Sequence, residues 1–348
     1  MRVYFDLENF ISYVKSYWKP RFDECNRMLK KQVDMSFNFT REDLREYLND
    51  EDFKAWLKTM VQGRGTSEVY NVPEFPHRPL RSNTYKSFDK EQLSSVYLLK
   101  DERIQMLVDG GNLLWGKVGD EVSVLNRLIM DKSDYGFVKT VQARKLKNWD
   151  ELDEYLMPNT DIILVDRYIA SDENRFGRNI CSLLTTICGK RQAPTGQLNI
   201  VIFTQFADPG KGTPLDSPQW SILYEKIKSE VNCQSGIKPN ITFILQRRLT
   251  EHDRTIIMNY QFIVSGDTLN YMGEMKNDTH GRYLHIHSVA NKDEMLIAKA
   301  TLSDLQKIID DMKKLNNPDH CCPEKFYHKE SCLKEPSSGT ITGSSGLL

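Results

Sequence analysis

Apolar positions alternate between short continuous runs and helical stripes through the second half of the sequence. Apolar runs bounded by turn residues are typical of buried strands, and such runs occupy 161–165, 199–204 and 241–245. Between them, apolar residues recur every three or four positions, which predicts amphipathic helices. Strands separated by helices predict an α/β domain whose sheet is mainly parallel, with flanking helices. The helical stripes are Phe176, Ile180, Leu183, Leu184 and Ile187, and then Trp220, Leu223, Tyr224, Ile227 and Val231.

The segment after the third run predicts a hairpin and a closing helix. Residues 256–258 and 262–264 are short apolar runs separated by Asn259-Tyr260-Gln261, which is the pattern of a β-hairpin. Residues 283–289 predict a further strand. Ser303 is expected to cap an amphipathic helix that ends near residue 315.

The first 149 residues follow a weaker pattern. Residues 2–5 predict a short strand, and 21–62 carry apolar stripes that predict helices. Residues 71–87 contain three prolines and show no periodicity, which is typical of an extended connector. The sequence therefore predicts an N-terminal α+β region of unknown family over 1–149.

Length and composition divide the remainder into a domain and a tail. The chain has 348 residues, which is enough for two domains. The α/β domain is predicted over 150–315. Residues 316–348 are predicted to be a largely disordered tail, because their last part is rich in Ser and Gly. The tail contains His and Cys, but adjacent Cys321 and Cys322 do not fit the separated pairs of zinc sites, so no metal is predicted.

Charge and cysteine content indicate which partners the protein could bind and in which compartment it lies. The net charge is −1, so nucleic acid or anionic lipid would have to bind a local patch. The N-terminus does not resemble a signal peptide, and no apolar run approaches the roughly 18 residues of a membrane span. The seven cysteines form no regular framework. These features predict a soluble, cytoplasmic protein of a reducing compartment, with no transmembrane segment and no cofactor.

The most specific chemistry lies between the third strand and the hairpin. His252 is followed after one residue by Arg254 and after four more by Asn259, with a turn at Gly266 beyond. This spacing resembles the His-x-Lys-x4-Asp motif of the phospholipase D superfamily, with Arg for Lys and Asn for Asp. In that family one histidine attacks phosphorus, a second is the acid, and Lys and Asn hold the phosphate oxygens. The resemblance implies that Arg254 and Asn259 bind phosphate, and that His252 is catalytic if the protein is an enzyme.

A second set of signatures is more specific to one family. In chain order they are Asp166-Arg167-Tyr168 within 164–169, Arg178-Asn179, 201–204, Glu251-His252-Asp253-Arg254 and Ser265-Gly266. Together they resemble the phospholipase-D-like C-terminal domain of MIT-domain proteins, and bacterial proteins with the same Asp-x-Tyr and His-Asp-Arg signatures. The resemblance covers roughly 150–315. It implies a dimeric, non-catalytic module, which in the eukaryotic relatives contacts membrane phosphoinositides.

Three functions are compatible with these residues. The first is a non-catalytic module, in a homodimer or larger assembly, that binds a phosphate-bearing ligand such as nucleic acid, a nucleotide or a lipid headgroup. The second is a phosphodiesterase or nuclease whose composite active site forms across a dimer. The third is a structural subunit of a bacterial multi-protein system. The predicted ligand-binding residues are Asp166, Tyr168, Asp253, Arg254 and Asn259.

Sheet geometry predicts where these residues meet. Ligands of open α/β sheets bind beyond the carboxyl ends of the parallel strands. Asp166 and Tyr168 follow the first predicted strand, Thr204 and Gln205 follow the second, and His252 lies just past the third. The alternative is a structural ion pair between Asp166 and Arg254, with Tyr168 packed beside it.

A further resemblance concerns the first predicted strand. Asp6-Leu7-Glu8-Asn9 follows that strand. It resembles the start of PIN/NYN-type nucleases, in which an acidic residue leaving the first strand binds a metal ion. The alternative is that these residues only cap the following helix.

Overall fold

A computed structural model describes most of the chain, and it divides into two compact units. The first unit comprises Met1–Val138 and Ser288–Ile297, and the second Lys139–Arg191, Gln197–His287 and Ala298–Leu348. The first stretch of the first unit ends at Val138, whereas the sequence predicted a boundary at 149. The described residues are 1–61, 69–71, 93–100, 113–169, 177–189, 198–205, 222, 225–232, 239–246, 254–266, 269, 283–315, 326–328 and 345–348.

Five strands form the sheet of the first unit. They are β1 (Arg2–Phe5), β2 (Asp34–Phe37), β3 (Val69–Asn71), β4 (Val96–Leu98) and β5 (Leu114–Gly116). Their order is β3-β2-β1-β4-β5, and each neighbouring pair is parallel. The sequence predicted an α+β region here, but it did not predict a sheet whose strands are all parallel. Its strand order reverses between β1 and β4, which is the switch point of a doubly wound sheet.

Helices and aromatic side chains surround this sheet. The helices are α1 (Leu7–Val14), α2 (Asp23–Lys31), α3 (Glu51–Val61) and α4 (Glu121–Leu125), with 3-10 turns at Pro20–Phe22, Arg45–Tyr47 and Asn126–Leu128. Phe10 of α1 lies 4.9 Å from both Phe37 and Trp56, measured between ring centroids. The expectation of helices throughout 21–62 was wrong at β2. Its residue Met35 is buried between β1 and β3, so pairing with neighbours outweighs the local helical pattern.

The second unit is built on a mixed sheet of eight strands. They are β6 (Val138–Gln142), β7 (Asp161–Val165), β8 (Asn199–Gln205), β9 (Asn240–Gln246), β10 (Arg254–Met258), β11 (Gln261–Ser265), β12 (Tyr283–Ser288) and β13 (Phe326–His328). The order is β13-β9-β8-β7-β10-β11-β12-β6. Strands β7, β8 and β9 are parallel, whereas β10 runs antiparallel to β7 and to β11. The predicted α/β class and hairpin are confirmed, and the sheet is mixed where a mainly parallel one was expected.

The helices of this half of the chain include one long helix at its end. They are α5 (Ser182–Cys188), preceded by a π turn at Gly177–Cys181, then α6 (225–232) and α7 (Lys292–Leu315), with 3-10 segments at Ala143–Lys145 and Trp149–Tyr155. The helix predicted to start at Ser303 starts at Lys292 instead. Asn291 Oδ1 accepts hydrogen bonds from the backbone N–H groups of Asp293 and Glu294, which caps the true first turn. Among the helices that the structure describes, none is long and apolar enough to cross a membrane.

Two segments of the predicted tail have a place in the second unit. Strand β13 pairs antiparallel with β9, with Phe326 opposite Ile244. Residues 345–348 lie against the start of β7, where Ser345 and Leu347 are buried. The structure therefore corrects the expectation of disorder for these two segments. Both contacts satisfy groups that would otherwise be exposed or unpartnered, namely the edge of β9 and a buried carboxylate.

Candidate functional site

The carboxyl ends of the parallel strands of the second unit bring several predicted residues together. Asp166 follows β7 directly, and Gln205 is the last residue of β8. Because β10 runs antiparallel to β7, with Thr255 opposite Val165, its first residue Arg254 lies at this same edge. The structure thus places Asp166, Tyr168, Gln205 and Arg254 at one end of the sheet, where ligands of α/β sheets bind.

Two arginine side chains lie over the ring of Tyr168. The guanidinium carbon of Arg254 is 5.6 Å from the ring centre, and that of Arg167 is 5.9 Å away. Arg254 Nη1 also donates to the carbonyl oxygen of Gly266 at 3.4 Å. Two permanently charged, planar donor groups thus contact one aromatic ring. We refer to Arg167, Tyr168 and Arg254 as the arginine site.

Arg167 was not predicted as a site residue. Its neighbours Asp166 and Tyr168 match a family signature that predicts them to bind ligand, and that signature gives Arg167 no role. The signal that could have found it is local. A basic residue in the turn directly after a buried strand lies at the carboxyl edge of the sheet, wherever its side chain then points.

Asp166 positions the arginine site from the interior. It is 1% exposed, Oδ1 accepts a hydrogen bond from Tyr168 N at 2.8 Å, and Oδ2 accepts one from Leu269 N at 3.1 Å. Thr204 Oγ1 donates to the carbonyl oxygen of Arg167 at 3.4 Å. These bonds fix the turn that carries Arg167 and Tyr168. Asp166 was predicted to bind ligand, but a buried carboxylate that accepts backbone donors is suited to holding this turn.

Asn259 lies at the other end of β10 from Arg254. It is fully buried in the turn between β10 and β11, and Oδ1 accepts hydrogen bonds from Thr160 N at 2.9 Å and Asp161 N at 3.2 Å. Its Nδ2 donates to Thr160 Oγ1 at 2.9 Å. Asn259 therefore does not join Arg254 in one phosphate site, and the expectation that it binds ligand is corrected. The reason is the strand itself, which separates the two residues by its whole length.

The remaining predicted residues, His252 and Asp253, lie outside the described part of the chain. They immediately precede Arg254 in the sequence.

The metal hypothesis for the first unit can be tested at Asp6. Asp6 follows β1 at the switch point and is 3% exposed. Its Oδ1 accepts a hydrogen bond from Asn38 Nδ2 at 2.8 Å, and its Oδ2 accepts one from Lys100 N at 3.1 Å. Glu8 lies 3.8 Å from Lys100 Nζ. Both carboxylate oxygens of Asp6 thus bind protein donors that join the ends of β1, β2 and β4.

The surroundings of Asp6 do not complete a metal site either. Within the described residues, no group of three or more His, Cys, Asp or Glu side chains could hold a metal ion. The residues present do not fit the metal that the PIN/NYN resemblance implies. Asp6 is a structural link in this unit, and no metal chemistry is derived from it.

A buried carboxyl group lies elsewhere in the first unit. Glu121 is 2% exposed and accepts hydrogen bonds from Gly119 N, at 3.0 Å to each oxygen. Asn9 Nδ2 donates to it at 3.3 Å and Ser12 Oγ at 3.5 Å. Burial raises the pKa of Glu121 above its usual value, and the hydrogen bonds from Gly119, Asn9 and Ser12 oppose that rise.

Comparison with known proteins adds one distant structural match. No protein-family model and no curated protein matches this chain. Among solved structures, the chain is similar to TrmBL2, described as an archaeal chromatin protein that shows a novel mode of DNA binding. The two are 12% identical, the match covers 56% of this chain and 60% of TrmBL2, and the TM-score is 0.26. Similarity at this level supports neither a shared fold nor a shared function.

Proposed function

We propose that the second unit is a phospholipase-D-like, non-catalytic module that binds a phosphate-bearing ligand at the arginine site. It does so within a homodimer or larger assembly. The observation that carries the proposal is the pair of guanidinium groups over Tyr168, at 5.6 and 5.9 Å from its ring centre. Both distances fall within the roughly 6 Å over which a cation is attracted to an aromatic face.

The chemistry of this pair favours an anion with several oxygens. Arg167 and Arg254 carry like charges near one ring, and two such charges repel each other. A phosphate group placed between them would offset that repulsion and accept charge-assisted hydrogen bonds of about 1.5–3 kcal/mol each. The planar guanidinium fork matches phosphate oxygens better than an ammonium group does. Contact with Tyr168 restrains the arginine side chains before ligand arrives, which lowers the entropy lost on binding.

Binding without hydrolysis is favoured by what the motif lacks. Phosphodiester cleavage of the phospholipase D type uses two histidines, one as nucleophile and one as acid. The sequence has the full spacing His-x-Arg-x4-Asn once, from His252 to Asn259. Asn259 stands where the motif has Asp and has no charge to balance a histidine; it is 0% exposed and bonded to Thr160. A second copy of this motif would come from another copy of the chain, so hydrolysis is an outcome of the test below.

The test is a titration of the full chain with phosphate ligands of different classes. The ligands are inorganic phosphate, ATP, inositol phosphate headgroups and a fluorescent single-stranded oligonucleotide, followed by calorimetry or anisotropy. Arg254→Ala and Arg167→Ala are each expected to weaken the bound class at least tenfold, and Arg254→Lys to recover only part of the loss. Lys145→Ala, which removes an exposed charge of the same unit, is the control and is expected to bind like wild type.

Two results would overturn the proposal. If the Arg167→Ala, Arg254→Ala double variant melts normally and binds every ligand like wild type, the arginine site does not hold phosphate. If the wild type hydrolyses a phosphodiester and His252→Ala abolishes that activity, the module is an enzyme. Sedimentation at increasing concentration then tests self-association, and a monomer throughout would remove the homodimer from the proposal.

A further inference from the structure

A row of polar side chains lies at the amino ends of the parallel strands, at the far end of the sheet from the arginine site. Asp161, Asn199 and Asn240 are the first residues of β7, β8 and β9, and they are opposite one another in register. Asn240 Nδ2 donates to Asn199 Oδ1 at 3.3 Å, and Asn199 Nδ2 donates to Asp161 Oδ1 at 3.1 Å. This polar row ends at a fully buried carboxylate.

The carboxylate of Asp161 needs donors, and the sheet supplies only some of them. Thr160 Oγ1 donates to Oδ2 at 2.6 Å, and Asn199 serves Oδ1. Burying a charge without hydrogen bonds is strongly unfavourable. A segment that brings further hydrogen-bond donors to Oδ1 is therefore strongly favoured at this position. Local sequence patterns gave no sign of this site, because Asp161 reads as the polar end of an apolar strand.

The other donors come from the last residues of the chain. Ser345 Oγ donates to Asp161 Oδ1 at 2.9 Å, and the backbone N–H of Gly346 donates to the same oxygen at 2.7 Å. Leu347 N donates to Ser345 Oγ at 3.1 Å, and Leu348 N donates to Ser345 O at 3.2 Å, which closes a tight turn. Ser345 and Leu347 are each 3% exposed. The contact thus combines a hydroxyl, a backbone donor and a buried apolar side chain.

We propose that the polar row is a receptor for the C-terminal Ser-Gly-Leu-Leu segment, and that copies of this chain exchange these segments with each other. Every copy of the chain carries both the Asp161 site and the segment that binds it, so the same contacts can form within one copy or between two copies. Sixteen residues separate His328 from Ser345, and a chain of that length spans at most about 60 Å. A tether of this length leaves the segment room to dock either on its own chain or on a copy held nearby. Exchange of identical segments needs no new contact, which makes it a low-cost route to self-association.

The decisive experiment pairs two variants that cannot associate alone. The donor variant carries Asp161→Leu, which keeps the approximate side-chain size but has no acceptor for Ser345 Oγ and Gly346 N. The acceptor variant ends at residue 344 and has an empty site. If this exchange forms the homodimer proposed above, a mixture of the two is expected to form a 1:1 complex by light scattering after size exclusion, while each variant alone stays monomeric. Well-folded variants that form no complex when mixed would overturn the exchange.

A peptide titration tests the receptor itself. A fluorescent peptide with the sequence of residues 342–348 is expected to bind the acceptor variant saturably, and to bind the full chain at least tenfold more weakly, because its own segment competes. The matched control peptide replaces the residue equivalent to Ser345 with Ala and is expected to lose at least tenfold in affinity. Equal binding of both peptides to the acceptor variant would refute recognition by Asp161.

A second variant protects the test against misfolding of the shortened chain. The full-length Ser345→Ala, Leu347→Ser protein keeps its length but weakens its own segment, and it is expected to bind the peptide at least as well as wild type does. Hydrogen exchange on the wild type adds a check that needs no mutation. The amides of Gly346 and Leu347 should exchange far more slowly than in the free peptide, and exchange at the free-peptide rate would exclude docking.

Discussion

Asn259 and Thr160 bind each other through two hydrogen bonds. Asn259 Oδ1 accepts from Thr160 N at 2.9 Å, and Asn259 Nδ2 donates to Thr160 Oγ1 at 2.9 Å. The pair joins the turn of the β10–β11 hairpin to the residue that precedes β7. Asn259 therefore secures the antiparallel pairing of β10 with β7, and that pairing in turn brings Arg254 beside the turn after β7. Asn259 thus helps to position Arg254, the other motif residue of this strand, but does not bind the same ligand.

Asn259→Ala is expected to destabilise the protein by about 2–4 kcal/mol. The change leaves the buried N–H groups of Thr160 and Asp161 without their acceptor, and each such group costs about 1–3 kcal/mol. The measurement is the free energy of unfolding in urea. The control is Asn148→Ala at an exposed asparagine, which should change stability by less than about 0.5 kcal/mol. A loss of phosphate affinity with unchanged stability would instead return Asn259 to the ligand site.

Replacement of Tyr168 separates the role of its ring from that of its hydroxyl. Tyr168→Leu is expected to weaken phosphate binding about five- to thirtyfold, because it removes two cation–π contacts of about 0.5–1 kcal/mol each. Tyr168→Phe keeps the aromatic face and should retain most of the affinity. Calorimetric titration of the two variants measures the difference. Equal loss in both would assign the effect to the hydroxyl group and not to the ring.

The apolar runs predicted the strands of the second unit well because those strands are buried on both faces. Residues Ile162, Ile163 and Leu164 of β7 are all fully buried, and a continuous apolar run is the direct mark of that environment. The parallel strands in turn predicted the edge at which Asp166 and Tyr168 lie. Arg254 reaches the same edge through the antiparallel pairing of β10 with β7, which the sequence did not predict.

The parts that escaped prediction depend on partners far away in the sequence. Asn259 and Thr160 are 99 residues apart, and Gly346 and Asp161 are 185 residues apart. Hydrogen bonds over such separations leave no periodic pattern near either residue. The C-terminal segment has the Ser- and Gly-rich composition of a disordered tail, and only the buried carboxylate of Asp161 explains why its end is ordered. The composition of a segment does not reveal its distant contacts, and here the contact with Asp161 holds residues 345–348 in place.

The start of α7 provides a simple test of where a helix cap acts. Asn291→Ala is expected to lower stability by about 1 kcal/mol, because Asn291 Oδ1 accepts from the N–H groups of Asp293 and Glu294. Ser303→Ala should be neutral or slightly stabilising, since Ser303 lies exposed inside the helix and Ala favours helix more than Ser does. Thermal melting of both variants measures the contrast. The opposite ranking would restore Ser303 as the cap.

Glu121 makes the stability of the first unit depend on pH in a defined direction. Burial raises the pKa of Glu121 in the folded state, so the folded protein holds this proton more tightly than the unfolded chain does. The stability that this carboxyl contributes is therefore fully present below its unfolded pKa of about 4.3. It is lost as the pH rises through the higher folded value. Above that folded pKa the ionised group is held in a poorly solvated position.

Glu121→Gln is expected to remove this loss. The melting temperature of the variant, relative to wild type, should be higher at pH 8 than at pH 4.5, because the amide keeps an acceptor for Gly119 N and has no charge to bury. Asp43→Asn is the matched control with the opposite sign. Hydrogen bonds from Thr40 N and Thr40 Oγ1 lower the pKa of Asp43, so its contribution is present at neutral pH and is lost as the pH falls. A melting difference for Glu121→Gln that does not change with pH would mean that Glu121 binds its proton equally in the folded and unfolded chains.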